Sequence, residues 1–137
     1  MEELQKNAKA SLRQLARRLG IPLTTLYSRI GRLEREGVIR GYRTEIDWRK
    51  VGYGIKAYVF VYLDHRRLRE IKRTPKDVAK QLNGLPFVED AEIVTGEVDI
   101  IAKVRAKDSP DLGRVLTQYV HSIEGIERTR TFVSMQE

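Results

Sequence analysis

The chain has 137 residues, of which 41% are hydrophobic, and a formal net charge of +7. This length allows one ordinary domain or two small ones with packed cores. The absence of cysteine excludes disulfides and cysteine-ligated metals and fits a reducing compartment. No apolar run is long enough for a signal peptide or a membrane span. We therefore expect a cytoplasmic protein without a membrane partner.

The positive charge is concentrated near the N-terminus. Residues 1–50 carry twelve Lys and Arg against six Asp and Glu, whereas residues 51–137 carry fourteen against thirteen. This asymmetry, with a pI near 9.8, is expected of a module that neutralises phosphates. A membrane surface is a poorer partner, because the helices predicted in this region lack a second apolar face.

Residues 11–42 predict two amphipathic helices followed by a basic strand. Apolar residues recur at helical spacing in both helices. Gly20 stands where the chain leaves the first helix, a position that favours positive φ, and Pro22 pre-sets φ for the second. The core-facing residues are Leu12, Leu15, Ala16 and Leu19 in the first helix and Leu26, Ile30 and Leu33 in the second, which runs from Leu23 to Glu36.

The polar side of the second helix has the residue types that read DNA in the major groove. Thr24, Thr25 and Ser28, near its start, are the predicted base readers, while Arg32 is assigned first to the phosphate backbone. An ordinary helical hairpin with solvated arginines is the alternative, and the charge asymmetry favours DNA binding. The predicted DNA-binding residues are Thr24, Thr25, Tyr27, Ser28, Arg29, Arg32 and Arg35.

The remaining sequence predicts the order strand, helix, strand, strand, helix, strand, which is the βαββαβ pattern of a ferredoxin-like α+β domain. Thr74-Pro75 and Ser109-Pro110-Asp111 have the composition of helix starts, with Thr74 and Ser109 as the predicted N-caps. The basic run His65 to Arg73 is interpreted as a solvated loop, and an extension of the DNA-binding surface is the alternative. The predicted strands are Ile55–Leu63, Val88–Val94, Asp99–Val104 and Ile126–Met135.

Both faces of the first of these strands are apolar. Tyr58, Phe60 and Tyr62 alternate with smaller apolar residues, so the helices can cover only one side. A chain of this length has no further helices to cover the second face, so we expect a second copy of the same sheet to cover it. This predicts a homodimer. Half-exposed aromatic residues on a sheet are the alternative.

An enzyme is the hypothesis from a different class. His65 and His121 lie far apart without metal-ligand spacing, and the sequence has no nucleophile elbow, phosphate-binding glycine loop or paired-carboxylate motif. We therefore predict no catalytic residues, metal or cofactor.

Three segments resemble the Lrp/AsnC, or feast/famine, transcriptional regulators. They are LARRLGIPLTTLYSRIGRLEREGVIRGY, similar to the helix-turn-helix of the family, EIVTGEVDIIAKVRA, similar to its strand-loop-strand, and IEGIERTRTFVSMQE, similar to its closing strand. The resemblance implies a winged helix-turn-helix domain with its linker strand in residues 1–50. A ferredoxin-like regulatory and dimerisation domain would follow in residues 51–137.

The resemblance also implies a sequence-specific regulator of double-stranded DNA whose dimers assemble into tetramers or octamers and sense a small effector, such as an amino acid. The effector-binding residues it implies are Thr95, Gly96, Glu97, Val98 and Asp99, with Thr129 and Thr131 on the closing strand. A plain turn, with Gly96 selected for its backbone conformation, is the alternative for this loop.

The N-terminal residues Met1 to Ala8 match only the last turns of the helix that precedes the helix pair in the family. A small module without such a helix buries less apolar surface. An effector-binding oligomer with a degenerate DNA-binding module, which modulates a related regulator, is therefore the alternative function.

Overall fold

The computed structural model describes residues 1–9 and 11–136, which belong to two compact units, Met1–Ile46 and Asp47–Glu137. The first unit contains three helices, α1 (Glu2–Lys6), α2 (Leu12–Leu19) and α3 (Leu23–Arg35). The second begins with a 3₁₀ turn (Trp48–Val51) and contains a four-stranded sheet with its helices.

The helix pair of the first unit forms as its local sequence predicts, except that Leu19, which was expected to face the core, is 48% exposed. The Ser11 hydroxyl caps α2 by accepting a hydrogen bond from the N–H of Gln14. Gly20 ends the helix with a φ of 66°, in the left-handed region. Leu15, Ala16 and Leu26 are buried between the helices. Leu4, Leu12, Ile21, Leu23 and Ile30 pack around them.

The basic strand predicted after the second helix is not formed. Residues 36–47 carry a turn and an irregular segment, and none of the described residues pairs with them as a strand. A strand needs a partner for its backbone N–H and C=O groups. Gly37, with a φ of 73°, directs the chain away from α3 instead.

The second unit has the ferredoxin-like order. Its sheet runs β2-β3-β1-β4 with all neighbours antiparallel, and helices cover one face. The elements after the 3₁₀ turn are β1 (Ile55–Leu63), α4 (His65–Glu70), α5 (Pro75–Asn83), β2 (Val88–Ile93), β3 (Ile100–Ala106), α6 (Ser109–Val115), a π-helical turn (Leu116–Val120) and β4 (Ile126–Val133). The α+β fold is confirmed.

The core of this unit lies between the sheet and the helices. Ala57, Val59 and Val61 of β1 are fully buried, as are Val78 and Leu82 of α5. The other face of β1 carries Tyr58, Phe60 and Tyr62 at intermediate exposure. The sheet therefore has one covered face and one face open in the single chain, which we call the open face.

Two local predictions for this unit are wrong. The basic run after β1 forms the helix α4 instead of a loop, because Asp64 caps it and Leu68 anchors it in the core. The cap of α6 is Asp108, not Ser109, since the Asp108 carboxylate accepts from the N–H of Asp111 at 2.8 Å.

Candidate functional site

The first candidate site is the outward surface of α3. Leu26 packs inward at 4% exposure, and Ile30 and Leu33 continue that side of the helix. Six of the seven predicted DNA-binding residues are exposed, whereas Thr25 is half-buried. The exposed ones are Thr24, Tyr27, Ser28, Arg29, Arg32 and Arg35.

The predicted DNA-binding residues differ in their angular position around the axis of α3. At about 100° per residue, Thr24, Ser28, Arg32 and Arg35 fall within roughly 80° of one another, opposite the buried stripe. Tyr27 lies at one edge of this sector. Arg29 and Thr25 lie at its other edge, nearer the core.

Two acidic residues of the same unit hold polar groups beside this surface. Arg32 Nε donates to Glu36 Oε1 at 2.9 Å, although the Arg32 side chain is 73% exposed. The Tyr42 hydroxyl donates to Glu34 Oε1 at 3.0 Å, and this hydrogen bond raises the pKa of Tyr42. Tyr42 thereby ties the segment after α3 back to the helix. The exposed Arg32–Glu36 pair is open to exchange of its carboxylate for a phosphate.

The second candidate site is the loop between β2 and β3. Gly96 adopts a φ of 130°, which a side chain rarely tolerates. The N–H of Val94 donates to the carbonyl of Asp99 at 3.0 Å and closes the loop. Thr95, Gly96 and Glu97 are exposed, while Val98 and Asp99 are half-buried. The loop therefore presents its polar tip to solvent.

The Asp99 carboxylate is already engaged inside the chain. Its Oδ2 accepts from the N–H of Leu63 at 2.9 Å, and its Oδ1 lies 2.9 Å from Nε2 of His65. The N–H of Asp99 donates to Val61. Asp99 thus fastens the loop to the end of β1 and the start of α4.

The two threonines of β4 lie on the other side of β1. Thr129 is opposite Val61 and Thr131 is opposite Val59, so both share the helix-covered face of the sheet. Oγ1 of Thr129 lies 2.7 Å from Nε2 of His121. The loop and the threonines thus meet the same end of β1 from opposite sides, and β1 separates them within one chain.

The open face of the sheet is the third candidate site. Strand register places Glu92, Ile101, Phe60 and Arg130 in one row, with Asp90, Lys103, Tyr58 and Phe132 in the next. Phe60 and Phe132 are in contact, with ring centroids 5.0 Å apart, and Phe132 is 49% exposed.

The charges on this face differ between its edges. The β2 edge carries Asp90 and Glu92, whereas the β4 edge carries Arg128 and Arg130. The Arg128 guanidinium lies 4.2 Å from the centre of the Tyr62 ring. The open face is therefore acidic at one edge, aromatic at the centre and basic at the other edge.

Sequence reasoning missed the contribution of His65 to the loop. The residue is 34 positions from Asp99, and only the pairing of β1 with β3 brings the two together. It also missed the charge order of the open face, because that order depends on strand order in the sheet. The alternation of arginine and threonine in Arg128 to Thr131 was the one available signal.

Two family models together match nearly the whole chain. A winged helix-turn-helix DNA-binding model matches residues 1–40, and the Lrp/AsnC ligand binding domain matches residues 56–137. The relatives are described in the same terms. An uncharacterized HTH-type transcriptional regulator of Pyrococcus furiosus is 37% identical over 134 residues, covering 98% of this chain and 87% of the relative. One of Pyrococcus horikoshii is 34% identical with the same coverage.

Solved structures have the same architecture. Escherichia coli AsnC matches with a TM-score of 0.81 at 24% identity, covering 99% of this chain and 87% of that one. A feast or famine regulatory protein from M. tuberculosis, complexed with L-methionine, matches with a TM-score of 0.85 at 27% identity and the same coverage. Among the described residues, no helix is long and apolar enough to cross a membrane.

Proposed function

The chain belongs to the Lrp/AsnC family and is a DNA-binding transcriptional regulator, and from this premise we propose how its parts divide the work. Residues 1–50 read double-stranded DNA, and residues 51–137 form the regulatory and dimerisation domain. The protein acts in the cytoplasm, in contact with its DNA. The observation that carries the proposal is the polar, arginine-rich surface of α3 opposite a buried apolar stripe.

DNA reading is assigned to α3. Thr24 and Ser28, at the centre of the exposed surface near the helix start, are suited to base edges, as is Thr25 from its flank. The aromatic ring of Tyr27 adds an exposed apolar contact at the edge. Arg29, Arg32 and Arg35 supply the positive charge for phosphates. This division predicts that the arginines set affinity and the hydroxyl residues set sequence preference.

The functional unit is a homodimer that packs the open faces of two sheets together. The aromatic centre supplies apolar area that a partner would bury. A twofold axis along the strands would lay the acidic β2 edge of one copy over the basic β4 edge of the other. Two recognition helices in such a dimer would enter successive major grooves roughly 34 Å apart. A palindromic operator follows from this symmetry.

The effector is an amino acid bound between dimers. Support comes from the M. tuberculosis relative complexed with L-methionine and from the exposed polar tip of the β2–β3 loop. The groups assigned to the ligand are Thr95, Gly96, Glu97, Val98, Asp99, Thr129 and Thr131. β1 separates the loop from the threonines within one chain. The loop of one dimer and the threonines of another would therefore have to meet at the contact between dimers to bind one ligand. Effector binding would then shift assembly between dimer and tetramer or octamer.

The decisive experiment is selection of bound fragments from random DNA at physiological salt, followed by affinity measurements against scrambled competitor. Specific regulators bind their sites typically 10³-fold or more tightly than other DNA. Enrichment of a pseudo-palindrome with a ratio of that order supports the proposal. Sequence-blind binding that disappears as salt is raised overturns sequence-specific DNA reading.

The second candidate is an effector-binding oligomer whose DNA module is degenerate and which modulates a related regulator. The observation that favours it is the small core of the first unit, where Leu15, Ala16 and Leu26 are the buried hydrophobic residues among those described. The same selection distinguishes the two functions, since this candidate predicts no enriched sequence.

A further inference from the structure

A cavity of about 270 Å³ opens at the end of the sheet where β1 begins and β3 ends. Tyr53 and Lys107, which flank the paired residues Ile55 and Ala106, contribute to its wall. The β2–β3 loop is at the opposite end of β1, about 25–30 Å away along nine residues of strand. The cavity is therefore separate from the loop assigned to the effector.

The apolar part of the cavity is aromatic. Phe87 and Tyr119 pack edge to face with ring centroids 5.1 Å apart, and Tyr53 and Val115 extend this surface. Tyr119 lies in the π-helical turn that follows α6, and the residue is 39% exposed. Such a wall receives a flat apolar ligand by edge or face contact.

The polar part of the cavity contains two cations, Lys107 and Arg114, and one carboxylate, Asp111. Arg114 Nη2 donates to Asp111 Oδ1 at 2.8 Å, and its guanidinium lies 5.6 Å from the centre of the Tyr119 ring. The other oxygen of Asp111 accepts from the N–H of Lys107 at 2.9 Å. These hydrogen bonds, with that of Lys107 first, hold the pKa of Asp111 below its usual range.

The charge balance of the cavity favours an anion. Asp111 is a charged group with both oxygens engaged, so it is not free to receive a ligand ammonium. Lys107 is an exposed residue, and among the residues that the structure describes its ammonium has no ion-pair partner within 4 Å. Two cations against one carboxylate leave a net positive charge beside an aromatic wall.

We propose that this cavity binds a small organic monocarboxylate with an aromatic body, such as an arylacetic or aryl 2-oxo acid. The ligand carboxylate lies at Lys107 and Arg114, and its ring packs on Phe87 and Tyr119. A free amino acid is a poorer ligand, because its ammonium is repelled by the two cations and finds no available acceptor on Asp111. The site is thus a second ligand site with a chemistry different from that of the effector loop.

A ligand in the cavity would contact Tyr53, which packs against the segment that precedes the sheet. Tyr53 follows the 3₁₀ turn, and its ring meets the Trp48 ring edge to face at 5.8 Å. The Arg105 guanidinium lies 5.5 Å from the centre of the Trp48 ring. A ligand that moves Tyr53 therefore changes the surroundings of the only tryptophan in the chain.

The test is titration of the full chain with phenylacetate, followed by Trp48 fluorescence and by calorimetry. Phenylacetamide, which has the same shape without the charge, and L-phenylalanine are the comparison ligands. We expect a saturable change with a dissociation constant of about 1 mM or lower for phenylacetate. Phenylacetamide should bind at least roughly fivefold more weakly, as expected for one lost charge pair. L-Phenylalanine should also bind at least roughly fivefold more weakly, because the two cations repel its ammonium.

Three variants locate the ligand. Lys107→Gln should weaken phenylacetate binding about fivefold or more, and Tyr119→Ala should weaken it further by removing the ring contact. Lys80→Gln, at an exposed lysine of α5 outside the cavity, is the matched control and should leave the affinity unchanged. Asp99→Asn, in the effector loop, should also leave it unchanged.

The proposal is overturned if phenylacetate and phenylacetamide bind equally, if Lys107→Gln leaves the affinity unchanged, or if calorimetry detects no saturable binding. Specific DNA binding is measured separately on the same preparation. If specific DNA binding is absent, the proposed DNA-binding function is overturned, whereas the proposed ligand site in the cavity is not affected.

Discussion

Nε2 of His65 and Oδ1 of Asp99 lie 2.9 Å apart, which joins the start of α4 to the end of the β2–β3 loop. The second oxygen of the same carboxylate accepts from the half-buried N–H of Leu63. A residue assigned to the effector is therefore also a structural anchor. Substitutions at Asp99 have to separate the two roles.

Asp99→Ala should abolish the ligand-dependent change in oligomer size and lower the free energy of unfolding by about 1–2 kcal/mol, because the N–H of Leu63 loses its acceptor. Light scattering with and without amino acid, together with urea unfolding, measures both effects. His65→Ala is the control, since it leaves the Leu63 hydrogen bond intact. A full ligand response in Asp99→Ala would remove Asp99 from the effector site.

Replacement of Arg29 or Arg32 with Ala should weaken DNA binding at low salt. Each lost phosphate contact should reduce the slope of log K against log salt by about 0.9. Fluorescence anisotropy at four or more salt concentrations measures the slope. Arg66→Ala, at an 86% exposed arginine side chain of α4, is the matched control. Unchanged slopes in both α3 variants would count against this surface as the DNA interface.

Exchange of charges across the open face tests the dimer. Glu92→Arg and Arg130→Glu should each weaken dimerisation about fivefold by placing like charges at facing edges. The double variant should recover most of the loss, because it restores opposite charges. Analytical ultracentrifugation measures the dimer dissociation constant. Losses that simply add in the double variant would exclude the proposed alignment of the two sheets.

Gly125→Ala should destabilise the second unit by roughly 2 kcal/mol or more. Gly125 has a φ of 101°, and a Cβ there would overlap the Leu68 side chain. Gly113→Ala is the matched control: a Cβ at Gly113, inside α6, would meet no atom within 4 Å beyond its chain neighbours and the backbone of its own helix, so a gain of about 0.5–1 kcal/mol is expected. Thermal unfolding followed by circular dichroism compares the two variants. Equal effects would contradict the packing around Gly125.

Sequence periodicity was sufficient for elements with a strong apolar pattern. Ile55–Leu63 has the predicted bounds because its β-branched and aromatic residues fit a sheet on both faces. The helix α4 was missed because HRRLRE contains a single apolar residue, Leu68, and a single residue has no period. Leu68 stabilises α4 because it packs into the core of the second unit, and this tertiary contact is not visible in the local sequence.

The open face shows what sequence alone could not supply. Its aromatic residues were predicted from alternation in β1, and the prediction that helices leave this side uncovered agrees with the single chain. The row from Glu92 to Arg130 involves four strands in the order β2-β3-β1-β4. Register and strand order are tertiary properties, so the separation of acidic and basic edges could be recognised only in the folded chain.

The two hydrophobic cores differ greatly in size. The core of the first unit has three buried residues, whereas that of the second has eighteen among the described residues. The stability of a folded unit increases with the apolar surface that it buries. The first unit should therefore be the first part of the chain to lose structure on heating. DNA that binds only the folded module would then raise its melting temperature by mass action. The operator would in this way act as a thermal stabiliser of the helices that read it.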